Sequence, residues 1–113
     1  MAIQLLRLEE LSGHDVYELA YAHAYPGGCW LPQSLYLTDN ADGLGIDALA
    51  PSLDQVFPQF AYLAPQQVSM DQWARVEQIH CAAHPEDVPF FQEVAAWLEQ
   101  GNRGADYFWI LGY

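Results

Sequence analysis

The sequence contains no lysine, and its only permanently charged basic side chains are Arg7, Arg75 and Arg103. A protein that grips a phosphate backbone needs clustered Lys and Arg to displace counterions, so this scarcity argues against nucleic-acid binding. Recruitment to an anionic lipid surface fails for the same reason. No apolar run approaches the roughly 18 residues of a membrane span, and the stretch before Arg7 is too short for a secretory signal. Cysteine is scarce too: Cys29 and Cys81 read as free thiols in a reducing cytoplasm. The sequence also lacks a Gly-x-Ser-x-Gly elbow, a phosphate loop, a dinucleotide fingerprint and a His-Glu-x-x-His pair. No catalytic signature therefore nominates an enzyme, and none calls for a cofactor.

What is present is apolar and acidic. Fifteen acids against three arginines give a formal charge of -12, yet the charged fraction is only 16%. An ordinary domain carries roughly 25%, so the imbalance comes from missing cations more than from surplus anions. With 52% hydrophobic and 14% aromatic residues, the 113-residue chain has the composition of one packed domain spanning residues 1–113.

Ala2 to Leu8 alternates loosely and reads as a first strand. Leu11-Ser12-Gly13-His14-Asp15 gives a helix start signal, and Val16, Leu19, Ala20 and His23 follow at helical spacing. An equally visible period of two, Tyr17, Leu19, Tyr21, His23 and Tyr25, describes a strand instead. The alanines at 20, 22 and 24 favour the helix over 13–24. Ser34 to Thr38 reads as a short strand, Ser52 to Phe57 as a helical turn, and Gln59 to Leu63 as a third strand. Ser69-Met70-Asp71-Gln72 is a capping box, and Met70, Trp73, Val76, Ile79 and Ala83 trace the apolar stripe of the helix it opens. Pro85 breaks that helix, and Phe90, Val94, Trp97 and Leu98 mark another, closed by Gly101. Tyr107 to Leu111 is a β-favouring run. The sum is an α+β domain, with a small antiparallel or mixed sheet of about four strands against three helices.

Several clusters carry chemistry. His80-Cys81-x-x-His84 has metal-like spacing, since a helix presents residues four apart on one side. A structural zinc site wants four ligands, however, and only Cys29 and His23 remain to complete it; the competing reading is core and cap histidines. Asp42-Gly43-Leu44-Gly45-Ile46-Asp47-Ala48-Leu49 resembles one turn of a glycine-rich calcium repeat, against the plainer reading of an acidic surface turn. Cysteine catalysis needs an activated thiolate, which a strongly negative field opposes.

The remaining signal is the surface. Asp39, Asp42, Asp47 and Asp54 fall within sixteen residues that contain nothing basic, in a segment read mainly as loop. Tyr25, Trp30 and Tyr36 lie nearby as candidate aromatic anchors for a basic protein partner. The second half resembles small bacterial immunity proteins. That likeness rests on Phe60-Ala61-Tyr62-Leu63, Ser69 to Trp73, Val94-Ala95-Ala96-Trp97-Leu98 and the closing Tyr107 to Gly112. It implies cytoplasmic residence and binding to a cationic toxin domain, such as a nuclease. The expectation is a non-enzymatic inhibitor whose partner-binding residues are the four aspartates and three aromatics. Two alternatives stand beside it: a phage-type inhibitor or nucleic-acid mimic, and a small metal- or ligand-binding enzyme using His80, Cys81 and His84.

Overall fold

The computed structural model describes residues 2–11, 13, 15–24, 30–40 and 43–112. Four strands form one antiparallel sheet: β1 (Val16–Tyr21), β2 (Leu35–Thr38), β3 (Pro65–Ser69) and β4 (Tyr107–Gly112), in the order β2-β1-β4-β3. Three helices accompany it: α1 (Ile46–Val56), α2 (Met70–Ala83) and α3 (Val88–Gly101). The α+β class and the count of elements agree with the sequence. Among the described residues no helix is long and apolar enough to cross a membrane.

The segment 13–24, read as a helix, instead holds strand β1 over Val16–Tyr21, buried on both faces along the strand; His14 lies outside the described residues. Tyr17, Leu19 and Tyr21 share one face and join the core, while Glu18 and Ala20 share the other. The misleading alanines have separate reasons. Ala20 sits opposite Trp109 in the sheet, and Ala22 and Ala24 lie in the turn beyond the strand. Residues 2–8 do not form a strand either. Leu6 alone pairs with Tyr36, exchanging two backbone bonds of 2.9 Å, and a 3-10 turn follows at Leu8–Glu10.

Two further boundaries move. The helical turn expected at Ser52 to Phe57 is the end of the eleven-residue α1. The strand expected at Gln59 to Leu63 is a turn, because Phe60 folds inward against Phe57 and Tyr62 instead of alternating. The real strand is the polar Pro65–Ser69, held by its register with β4. It runs straight into α2, where Ser69 accepts from the Gln72 N–H at 3.1 Å and Gln72 returns a bond at 2.9 Å. The capping box is the one the sequence announces.

The core lies between the helices and one face of the sheet. Leu49 and Leu53 of α1, Trp73 and Val76 of α2, and Phe91, Val94 and Trp97 of α3 meet Leu19, Val68, Phe108 and Ile110 of the sheet in one cluster. Trp73 is its aromatic hub, with ring centroids 5.2 Å from Phe91 and 5.3 Å from Phe108.

Candidate functional site

On α1, Leu49, Ser52, Leu53 and Val56 face inward, and on α2 the buried stripe is Trp73, Val76 and His80. Each apolar stripe thus carries one polar residue, and the two meet. Ser52 Oγ lies 2.9 Å from His80 Nδ1, and His80 Nε2 lies 2.6 Å from Asp87 Oδ2. Asp87 Oδ1 accepts the Ile3 N–H at 2.8 Å. In the tautomer with the proton on Nε2, the ring donates to Asp87 and Nδ1 accepts from the serine hydroxyl.

The order serine, histidine, aspartate is that of acyl-transfer chemistry, but the surroundings are not. Ser52 sits mid-helix and only 5% exposed, where a nucleophile needs an open Oγ and donors for an oxyanion. The chain of bonds instead ties α1, α2, the turn Pro85–Asp87 and the N-terminal segment together in a buried setting.

Beside this clamp a cleft of about 360 Å³ opens between α1 and the turn that follows α2. Asp47, Glu86 and Asp87 bring carboxyl groups to its lining; His80, His84 and Pro51 contribute the rest of its chemistry. No arginine lines it. Among the described residues the ion pairs are His80–Asp87 and His84–Glu86, the second 3.4 Å long and half-exposed, so all three arginines stand apart from them. Asp47 Oδ2 accepts the Gly43 N–H at 2.8 Å, whereas its Oδ1 is buried with no hydrogen-bond partner among the described residues. Pro51 has no N–H to give the Asp47 carbonyl four residues earlier, so that oxygen also lacks its helical donor.

Of the four aspartates singled out from the sequence, Asp39, Asp47 and Asp54 are described. Asp39 is exposed at the end of β2, where its N–H bonds the Asp15 carbonyl at 2.8 Å. Asp54 is exposed on α1, and accepts from the Tyr62 hydroxyl at 2.7 Å. Burial, that hydrogen bond and the Asp54 charge push the Tyr62 pKa well above the ordinary phenol value. Asp42, Tyr25 and Cys29 lie outside the described residues. Tyr36, read as a surface anchor, is completely buried and donates to the Leu31 carbonyl at 2.8 Å, so its ring lies beneath the surface.

Trp30 is half-buried and stacks on Tyr36 at 6.1 Å. Its φ of 58° is in the left-handed region, unusual for so large a side chain. The buried Glu18 carboxylate stabilises that conformation, accepting from the Trp30 N–H at 2.8 Å, the Leu31 N–H at 3.1 Å and the Ser34 hydroxyl at 2.5 Å.

The His80 and His84 rings lie against each other, centroids 4.9 Å apart, but with Cys81 they form no metal-holding group among the described residues. Both His80 ring nitrogens are engaged, while the His84 side chain is 53% exposed. Burial, together with Glu77 and Asp87, raises the pKa of the half-buried Cys81 thiol. Among the described residues no three His, Cys, Asp or Glu side chains come together in a way that could hold a metal ion. The calcium-repeat reading fails on backbone grounds, since Ile46 to Leu49 is helix with Leu49 fully buried.

Glu18, Ser34, Ser52, Asp87 and Asn102 are buried polar residues to which sequence reasoning gave no site role. The available signal was a polar residue inside an apolar pattern: Glu18 between Tyr17 and Leu19, and Ser52 beside Leu49 and Leu53. Comparison with protein-family models, curated proteins and solved structures returns no match for this chain.

Proposed function

We propose that the chain is a non-enzymatic inhibitor that binds a basic protein partner, as immunity proteins bind the toxin domains they neutralise. The observation that carries this reading is the cleft beside α1. It holds three carboxyl-bearing residues, has no arginine in its lining, and includes Asp47, whose buried Oδ1 has no hydrogen-bond partner among the described residues. An arginine or lysine side chain from a partner matches that lining, because it supplies several N–H donors and positive charge together. The uncompensated charge of -12 would steer a cationic domain toward the molecule before contact.

The test is association kinetics with the basic catalytic domain of a toxin encoded beside this gene. The double variant Asp47→Lys, Glu86→Lys is expected to slow association by roughly tenfold or more at low salt and to flatten its salt dependence. An unchanged on-rate with an unchanged salt slope would remove the cleft from the interface. Failure of the native protein to bind or inhibit that domain would sink the inhibitor reading itself.

A further inference from the structure

We infer that the sheet is closed to strand addition at its β3 edge by the chain's own glutamines, with Gln66 as the closing residue. β3 is the outermost strand beyond β4, and its sequence, Pro65-Gln66-Gln67-Val68-Ser69, carries no charge to discourage another strand. Alternate residues of an edge strand turn their backbone groups toward and away from the neighbouring strand. The Met70 N–H bonds the Asp106 carbonyl just before β4, so residues of even number face β4 and Pro65, Gln67 and Ser69 face outward.

Most of those outward groups are missing or already engaged; the Pro65 carbonyl and the Gln67 N–H are the exceptions. Pro65 has no N–H. The Gln67 carbonyl accepts from Gln66 Nε2 at 2.9 Å, and the Ser69 N–H donates to Gln72 Oε1 at 2.9 Å. Gln66 is itself braced, its Oε1 accepting the Ala61 N–H at 3.0 Å. The Ser69 carbonyl belongs to the first turn of α2, as an N-cap carbonyl does. A strand laid along this edge must exchange two bonds with Gln67, and of that residue's two groups the carbonyl is already engaged by Gln66. The far edge is closed differently, by Leu6 across Tyr36.

The experiment combines light scattering over a concentration series with backbone amide exchange. Native protein is expected to remain monomeric, with a Gln67 amide that exchanges fast at every concentration and a Ser69 amide that exchanges slowly. Gln66→Val removes both arms of the clamp and suits a half-buried strand position. It is expected to self-associate at concentrations about tenfold below any at which the native chain does, with Gln67 becoming protected as it does so. Gln66→Lys, whose ammonium can reach the same carbonyl, is expected to stay monomeric. If Gln66→Val fails to fold, exchange in the native protein decides alone. A native Gln67 amide protected in step with concentration overturns the inference, as does a folded, monomeric Gln66→Val with a fast Gln67 amide.

Discussion

Asp87 holds the Ile3 N–H with one oxygen and the His80 ring with the other, and is itself only 3% exposed. Replacing it by alanine takes the acceptor from two buried groups in different parts of the chain, the Ile3 N–H and the His80 ring. Unsatisfied buried donors cost about 1–3 kcal/mol each, more where a charged partner is lost. Asp87→Ala is therefore expected to lower stability by roughly 3 kcal/mol. Asp87→Asn, which keeps one accepting oxygen, should lose about half of that. Urea unfolding with an unchanged slope checks both. A loss under about 0.5 kcal/mol for Asp87→Ala, the range of an ordinary surface substitution, would show that the clamp contributes nothing. At this scale the sequence was partly readable. His80 continues the stripe of Trp73 and Val76, which marks it as buried, but nothing in sequence names its partners Ser52 and Asp87, because only the packing of α1 on α2 brings them together.

The elements divide by how much of their structure is local. α2, α3 and β4 were legible because a capping box, an apolar period and an aromatic run each determine their own segment. α1 was underread because it has no side-chain cap at Gly45 and carries Pro51 in its interior. β3 was missed because Pro-Gln-Gln-Val-Ser has little strand preference; its pairing with β4 makes it a strand. β1 was misread because its true period of two competed with alanines whose places are set by Trp109 and by the turn. Pro51 offers the sharpest test among these. An interior proline costs a helix about 3 kcal/mol, offset by up to about 1 kcal/mol from a stiffer unfolded chain. Pro51→Ala is thus expected to stabilise the protein by roughly 1–2 kcal/mol, read as a higher midpoint by calorimetry. A lower midpoint would mean that the cleft beside α1 depends on the missing bond.

For the whole molecule, charge and burial act together at high pH. Burial raises the pKa of Tyr17, Tyr21 and Tyr62 above the ordinary value of 10, with Asp39 adding to it at Tyr17 and Asp54 at Tyr62. The folded state therefore holds these protons more tightly than the unfolded chain does. Their stabilising contribution is complete below pH 10, and is lost as the pH climbs above that value and the unfolded chain ionises first. Stability is expected to decline steeply above pH 10, with part of the phenolate absorbance appearing only as the far-ultraviolet dichroism collapses. Tyr62→Phe should make that decline shallower. Free titration of all seven tyrosines near the ordinary value, with the fold intact, would contradict it.

The strand order carries a consequence for how the protein is made. β4 lies between β1 and β3 although it follows both in sequence, and among the described residues it is the strand that joins them. During translation Leu19 has no partner on that side until Ile110 has been added and has left the ribosome. At roughly 5–20 residues per second, the interval is several seconds or more. For that time the nascent chain can form α2 and the β1–β2 pair, while Leu19, Val68 and the inner faces of the helices wait in water or against a chaperone. Folding of this domain is accordingly complete only once β4 has entered the sheet between β1 and β3.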